Sequence, residues 1–295
     1  MNILVTGAAG YIGSMLVPQL LRRHSVTAVD IFAPGQASLL ECIYDKNLTV
    51  VNAPYDPDCI HPADFEAVVH LASVVGAKAC DQNPELAKRT NLTLTKRILG
   101  KLERHRQVMV IFPCTNSGYG TGVCDETSKM DPKSLYAKQK VEAEAAVLKF
   151  GGVSLRFASV FGVSPRMRTD LLVNDLVKRA LKDRYLVLFE AGFKRNYLHV
   201  LDAAQSITFA LDRYAAMTGE AYNVGISNQN LTKLELAQLI KEYLPDTKII
   251  CEDVAQDPDK RDYVVSNAKI EALGYKTHFS LEDGIKELIR GYQII

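Results

Sequence analysis

MNILVTGAAGYIG, residues 1–13, sets an apolar run, Asn2 to Thr6, directly before Gly7, Gly10 and Gly13, with Tyr11 opening a helical pattern. Strand, tight turn and helix start in that order make Gly-x-x-Gly-x-x-Gly a credible phosphate-binding turn. Glycine permits the turn itself, the close approach of backbone to a pyrophosphate, and close packing of helix on strand. The first helical N–H groups, Tyr11 and Ile12, and the positive end of the helix dipole would then face the phosphates. Asp30 ends the next strand, Val26 to Asp30. An acid there accepts hydrogen bonds from adenosine ribose hydroxyls and repels a 2′-phosphate, which selects NAD over NADP.

Outward from this turn, short β-branched runs alternate with helical patterns. Leu48 to Val51, Ala67 to Leu71, Val108 to Pro113 and Val153 to Phe157 read as further strands. Tyr11 to Arg23, Glu85 to Glu103 and Leu135 to Phe150 read as helices long enough to cover them. Such alternation implies right-handed βαβ units and a parallel, doubly wound α/β sheet of Rossmann type. After about Gly162 the pattern changes. SPRMRTDLLVNDLVKRAL is a loop feeding a helix, Leu186 to Phe189, Tyr197 to Val200 and Ala221 to Val224 are short strands, and Asp202 is placed to cap the helix that follows. Thr232 and Glu235 form a capping-box pattern before an amphipathic helix, and a helix from Ser280 to Tyr292 closes the chain. The expected division is a dinucleotide-binding lobe at 1–162, with 195–215 returning to it, and a smaller α/β substrate lobe at 163–194 and 216–295.

Composition narrows the class. The chain has 295 residues, 47% hydrophobic and 23% charged, with a net charge of +1, as a folded domain with a substantial core requires. Near-neutral charge gives no reason to expect a nucleic-acid partner or a membrane surface. No apolar run approaches the ~20 residues of a membrane span. Ile3 to Val5 is too short for a signal-peptide core and lacks a basic flank, so a cytoplasmic location is expected. The six cysteines are scattered, with neither a Cys-x-x-Cys pair nor a His at zinc-site spacing; free thiols and no metal site follow. Asn47, Asn91 and Asn230 each begin an Asn-Leu-Thr sequon, expected to stay idle without a secretion signal.

Chemistry enters at SLYAKQK, residues 134–140. Tyr136 and Lys140 lie four apart on a predicted helix and share a face. A free phenol has a pKa of about 10, too high for a base at neutral pH. A neighbouring ammonium favours the phenolate and brings it toward the useful range.

In their order, TGAAGYIG, VDIF, HLAS (His70 to Ser73), TNLTLT around Asn91, CTNSGYG, the Tyr136/Lys140 pair, LRFASVFG, RNYLHVLD and YNVG span nearly the whole chain. Together they resemble the extended short-chain dehydrogenases that act on nucleotide sugars, such as UDP-glucose 4-epimerase. The resemblance implies that Leu71 and Ala72 line the cofactor, that Tyr136 is the base, and that Lys140 binds the nicotinamide ribose and lowers the phenol pKa. Thr115, four residues before Tyr119, would hydrogen-bond the sugar oxygen that loses its proton, and Asn91 would position this network. Arg195 and Arg261 match arginines near the diphosphate, Phe189 an aromatic on the base, and Ser159 replaces the Asn of the family's LRxxN pattern. Ala53-Pro54 replaces a Gly-Asp, and Asn196 an Asp.

Within that family, 4,6-dehydratases carry Thr-Asp-Glu, decarboxylases a Glu, and ring epimerases a Cys near the first Thr or Ser. Here the run is Thr115, Asn116, Ser117, which supplies no carboxylate. The expected activity is hydride and proton movement at C4 of a nucleotide-diphosphate sugar, foremost 4-epimerisation. CTNSGYG, SPRMR-DLLVND and DPDKRDY are similar to a sub-branch that includes GDP-manno-heptose 4-dehydrogenases, so net oxidation of a GDP-sugar is an alternative. A non-catalytic NAD-binding sensor or scaffold is another. The two long helices resemble those that pair in a homodimer. Whether the nucleotide is GDP or UDP stays open at this point.

Overall fold

The computed structural model describes residues 1–33, 36–252 and 262–294. In chain order its first half contains β1 (Asn2–Thr6), α1 (Gly13–Leu21), β2 (Ser25–Asp30), β3 (Leu48–Asn52), β4 (Ala67–His70), α2 (Ala77–Gln82), α3 (Pro84–Lys88), α4 (Leu94–Lys101), β5 (Met109–Thr115), β6 (Thr121–Cys124) and α5 (Leu135–Phe150). There follow β7 (Val153–Phe157), β8 (Ser159–Phe161), α6 (Leu172–Lys182), β9 (Tyr185–Phe189), β10 (Lys194–His199), α7 (Val200–Asp212) and α8 (Tyr214–Met217). The last part holds β11 (Ala221–Val224), β12 (Asn230–Thr232), α9 (Lys233–Tyr243), β13 (Lys248–Glu252), β14 (Asp262–Val265), α10 (Ala268–Ala272) and α11 (Leu281–Gly291).

Seven strands form one sheet in the order β11-β7-β5-β4-β1-β2-β3, every neighbouring pair parallel. The doubly wound α/β expectation holds. A parallel sheet covered on both faces needs apolar residues at successive positions, and β1 shows how they divide. Ile3 and Val5 join the core with Leu16, Val17 and Leu20 of α1 and Ala203 and Ile207 of α7. Leu4 joins the opposite core with Ile98, Leu99, Ala143 and Val147. A third cluster gathers α6, α9, α11 and the apolar residues of β9. Beside it lie small sheets, β12-β10-β8, β13-β9 and β14-β6.

The strand order reverses direction between β1 and β4, the switch point beyond whose carboxyl ends ligands bind in such sheets. Gly7 and Leu71-Ala72 meet there. Gly7 has φ +71°, and a Cβ on it would come within 2.6 Å of the Ala72 nitrogen.

Four elements differ from the sequence reading. Ala221–Val224, expected in the substrate lobe, is fully buried and completes the edge of the large sheet beside β7. β10 runs in a small sheet with β8 and β12, while α7 after it covers the large one. Asp202 does not cap α7; the His199 side chain accepts from Leu201 N at the cap. The Asp202 carboxylate instead accepts from His278 N and Phe279 N at 2.9 and 3.1 Å, holding the approach to α11. The helix expected over 85–103 is interrupted by a π-helical turn at Arg89–Thr93. The capping boxes are present, at Thr232/Glu235 and also at Ser280/Asp283. Among the described residues no helix is long and apolar enough to cross a membrane, and no cluster of His, Cys, Asp and Glu is arranged to hold a metal.

Candidate active site

The glycine turn is held from three sides. Gly7 N donates to Val29 O at 2.9 Å and Gly10 N to Gly7 O at 3.1 Å. A Cβ on Gly13 would lie 2.4 Å from Gly7 O, so helix and turn pack as tightly as the spacing predicts. Asp30 receives Ala9 N on Oδ2 at 3.0 Å and Phe32 N on Oδ1 at 3.2 Å. An ionised carboxylate accepts about four hydrogen bonds, which leaves acceptor capacity for two ribose hydroxyls. Within the described residues the N–H groups of Tyr11 and Ile12 have no acceptor. A cradle without side chains, open N–H groups and an acid at the next strand end fit a dinucleotide.

The neighbouring strand end is braced by a buried chain of polar groups. The Thr6 hydroxyl lies 2.7 Å from His70 Nδ1, and His70 Nε2 lies 3.1 Å from Thr95 Oγ1. Thr95 in turn donates to Asn91 O. Thr95 spends its proton on Asn91 O, so His70 Nε2 carries a proton and donates to Thr95, and Nδ1 faces the Thr6 hydroxyl. Burial, assisted by the nearby Lys140 ammonium, holds the His70 pKa down to about 3.

Asn91 sits in the π-helical turn, 1% exposed. Its Oδ1 accepts from Ser73 Oγ and Val74 N at 2.8 and 2.7 Å. Its Nδ2 donates to Val74 O and to Gln139 Oε1, both at 3.0 Å. The extra residue of a π-turn re-aims side chains, and here the turn places Asn91 between the 73–74 loop and α5.

Thr115 ends β5, and its Oγ1 donates to Ser117 Oγ at 2.9 Å while accepting Ser117 N at 3.1 Å. α5 begins beside it: Ser134 caps the helix by accepting from Ala137 N at 3.2 Å. Tyr136 therefore lies in its first turn, with Lys140 one turn deeper. Lys140 is 4% exposed, and its Nζ stands 3.7 Å from the centre of the Phe112 ring. Burial brings its pKa down to about 8. Among the described residues its ammonium has no hydrogen-bonded acceptor, so it is ready for a ligand hydroxyl.

A second buried network was not foreseen from sequence. Glu144, one turn beyond Lys140, takes Arg156 Nε on Oε1 at 3.0 Å and Nη2 on Oε2 at 2.9 Å, and Ser154 Oγ at 2.5 Å. Arg156 Nη1 reaches Tyr119 Oη at 2.8 Å, and Tyr119 donates to Asn223 Oδ1 at 2.6 Å. Arg156 and Asn223 are polar residues inside the buried strands β7 and β11, Tyr119 lies in the turn after β5 and Glu144 on α5, and only the packing of these elements brings them together.

The residues expected on the substrate side lie apart from one another. Ser159 opens β8 half-buried, and Phe189 ends β9 at 38% exposure. Arg195 is 2% exposed, with its guanidinium 5.8 Å from the Tyr263 ring centre and Nη1 donating to Lys194 O. Arg261 lies outside the described residues.

A seven-stranded parallel sheet with a dinucleotide cradle at its switch point and a Tyr/Lys helix beside β5 defines an NAD-binding oxidoreductase fold. The family model described as NAD dependent epimerase/dehydratase matches residues 3–225. The chain belongs to that family; it is an NAD-dependent enzyme of the extended short-chain dehydrogenase group. It is 30% identical to an uncharacterised UDP-glucose epimerase of Bacillus subtilis, over 97% of this chain and 96% of that one. UDP-glucuronic acid decarboxylase 1 of Danio rerio is 27% identical, over 98% and 72%. A solved UDP-glucose 4-epimerase of Thermotoga maritima with UDP-glucose superposes with a TM-score of 0.86 at 25% identity, covering 100% and 99%. UDP-glucuronic acid 4-epimerase of Bacillus cereus, with UDP-glucuronic acid and NAD, shares the fold at the same TM-score and 24% identity, covering all of both chains.

Proposed function

We propose that this enzyme is a 4-epimerase of a nucleotide-diphosphate sugar, working through a transient 4-keto sugar. The carrying observation is the Thr115–Ser117 hydroxyl pair at the end of β5 beside the Tyr136/Lys140 helix turn, in a run that contains no carboxylate. Elimination of water or ring epimerisation needs an additional acid or base beside the ketone; a redox step at one carbon does not. The 4-epimerases among the similar proteins support this reading, and Ser117 separates the chain from the Glu-bearing decarboxylase pattern.

Bound NAD supplies a hydride acceptor and donor. Tyr136 takes the proton of the C4 hydroxyl, and Thr115 orients that oxygen by hydrogen bonding. Lys140 favours the phenolate and holds the ribose, while Asn91 secures the 73–74 loop against α5. On return, Tyr136 gives its proton back to the C4 oxygen. Residues 1–162 with α7 and β11 form the dinucleotide part, and 163–194 with the remainder of 216–295 holds the sugar nucleotide. Arg195 of β10 and Arg261 serve the diphosphate, and Phe189 the base. Helices α3, α4 and α5 pair with a second copy, a homodimer that sedimentation at micromolar concentration tests.

The activity is tested by mixing enzyme and NAD with UDP- and GDP-linked hexoses, hexuronic acids and heptoses, and following nicotinamide absorbance together with product stereochemistry. An epimer without net NADH is expected, and loss of the base in Tyr136→Phe should lower turnover ~10²–10⁴-fold. Stoichiometric NADH without an epimer would overturn epimerisation in favour of net 4-dehydrogenation. Near-normal turnover of Tyr136→Phe would overturn the mechanism.

A further inference from the structure

Tyr11 faces two ways. Its open N–H belongs to the dinucleotide cradle, and its other polar atoms are tied to the far side of the cleft. The phenol donates to Gly162 O at 2.6 Å and accepts from Asn174 Nδ2 at 3.2 Å. Its carbonyl accepts from Ser164 Oγ at 2.8 Å. Ser164 has then spent its only hydroxyl proton, so the 2.9 Å contact with Ser14 Oγ is donated by Ser14. Asn174 closes the set: Oδ1 accepts from Gly162 N at 3.1 Å, and Nδ2 also donates to Arg168 O at 2.8 Å.

Tyr11, Ser14, Ser164 and Asn174 are 7%, 0%, 3% and 0% exposed. Buried, mutually satisfied polar groups of this kind favour one arrangement, because moving the two segments apart would leave them together without partners and away from water. Burial also raises the Tyr11 pKa well above the usual phenol range, so its hydroxyl stays a donor. The segment so held, residues 162–174, carries Arg166, Arg168 and Asp170. Arg168 pairs with Asp170 at 3.0 and 2.5 Å. Gly162 itself has φ +113° and abuts the His199 ring, where a Cβ would come within 2.4 Å of Nε2. It therefore has no room to shift independently of β10.

We propose that Tyr11 and Asn174 are positioning residues: they lock residues 162–174 to the glycine turn, so that NAD bound at Gly7–Gly13 sets the cleft wall that meets the second substrate. That the second substrate is a sugar nucleotide rests on the proposed function; the lock itself requires only NAD.

Tyr11→Phe is the informative variant, because it strands nothing. Gly162 O keeps Asn174 Nδ2 at 3.5 Å, and Asn174 Nδ2 keeps Arg168 O. Amide hydrogen exchange is measured on nucleotide-free protein with and without saturating NAD. In the unaltered enzyme NAD should slow exchange in both 7–13 and 162–174, the latter by ~10-fold, within the usual range of inter-site coupling. In Tyr11→Phe, and separately in Ser164→Ala, protection of 7–13 should persist while that of 162–174 falls to within about twofold of the NAD-free level. Unchanged protection of 162–174 in both variants, or none in the unaltered enzyme, overturns the proposal. With an established sugar substrate, Tyr11→Phe should raise KM ~10-fold and leave kcat within about threefold; a fall in kcat alone counts against positioning. Failure of every sugar assay would refute the proposed function and leave the exchange result to decide this point.

Discussion

Replacing Lys140 with Met should stabilise the NAD-free protein while removing its activity. The side chain is 4% exposed, and burial depresses its pKa from 10.5 to about 8. Lowering a pKa by one corresponds to about 1.4 kcal/mol, so at pH 7 the fold carries a cost of about 3 kcal/mol for holding this ammonium. The sign follows from linkage. The unfolded chain binds this proton more tightly than the folded one, so stability rises with pH. The cost is full below about pH 8, shrinks as pH rises toward 10.5 and is gone above it. The Phe112 ring under the ammonium returns ~1 kcal/mol. A methionine of similar length should therefore gain ~2 kcal/mol at pH 7 and under ~1 kcal/mol at pH 10. At ~2–4 °C per kcal/mol for a chain of this size, the gain at pH 7 is a Tm rise of ~5 °C. Urea unfolding of both proteins at pH 7 and pH 10 reads the difference. A variant less stable than the unaltered protein at pH 7, or a gain independent of pH, would refute the reasoning. Saturating NAD should narrow the gap, since only the lysine gains a ribose contact.

Three other substitutions probe separate parts of the site. Gly7→Ala forces a Cβ at φ +71° to within 2.6 Å of the Ala72 backbone; a loss of ~2 kcal/mol or more in stability and at least ~10-fold in NAD affinity is expected, read by thermal melts and calorimetric titration. Asp30→Asn keeps an acceptor for Ala9 N but removes the charge, so the ratio of NAD to NADP affinity should fall ~10-fold or more; an unchanged ratio in fluorescence titration would show that Asp30 does not select the cofactor. Glu144→Ala strands the Arg156 guanidinium, both partners being under 10% exposed, and should cost ~3–5 kcal/mol in urea unfolding, with Glu144→Leu/Arg156→Met recovering most of it.

How much was legible in sequence depends on how local the determining interaction is. The glycine turn, the strand-end position of Asp30, the cap at Thr232 and the helical spacing of Tyr136 and Lys140 all act within a few residues, and the structure places them as read. Ala221–Val224 is a strand by its pattern, but which sheet it joins is set by β7, far off in the chain. Asp202 resembles a cap locally, yet its partners are the backbone of His278 and Phe279. The π-turn at Arg89–Thr93 leaves no trace in apolar periodicity, and the partners that Asn91 finds from it, the 73–74 loop and Gln139, lie far off in the chain. Nothing local in KRNYLHV marks Arg195 as buried; the neighbouring strand β14 brings Tyr263 over it.

The same long-range contacts bear on the chemistry. A redox step at one carbon needs a single acid–base group, and other titratable side chains packed near β5 are already committed. Glu144 is the buried carboxylate nearest in sequence to Lys140, but Arg156 takes both its oxygens and Ser154 adds a third bond. Glu126 Oε1 receives Asn223 N at 2.7 Å. His70 is neutral, with each ring nitrogen on a threonine hydroxyl, so protonating it would disturb the chain that braces Asn91. Cys114 is buried, with its thiol pushed far above the usual range and directed at Lys140 O. Recruiting any of these for a second proton transfer would first break a satisfied buried network, at ~1–3 kcal/mol per stranded group. Tyr136, in the first turn of α5 with Lys140 one turn behind it, is the group to which the proposed mechanism gives the C4 proton.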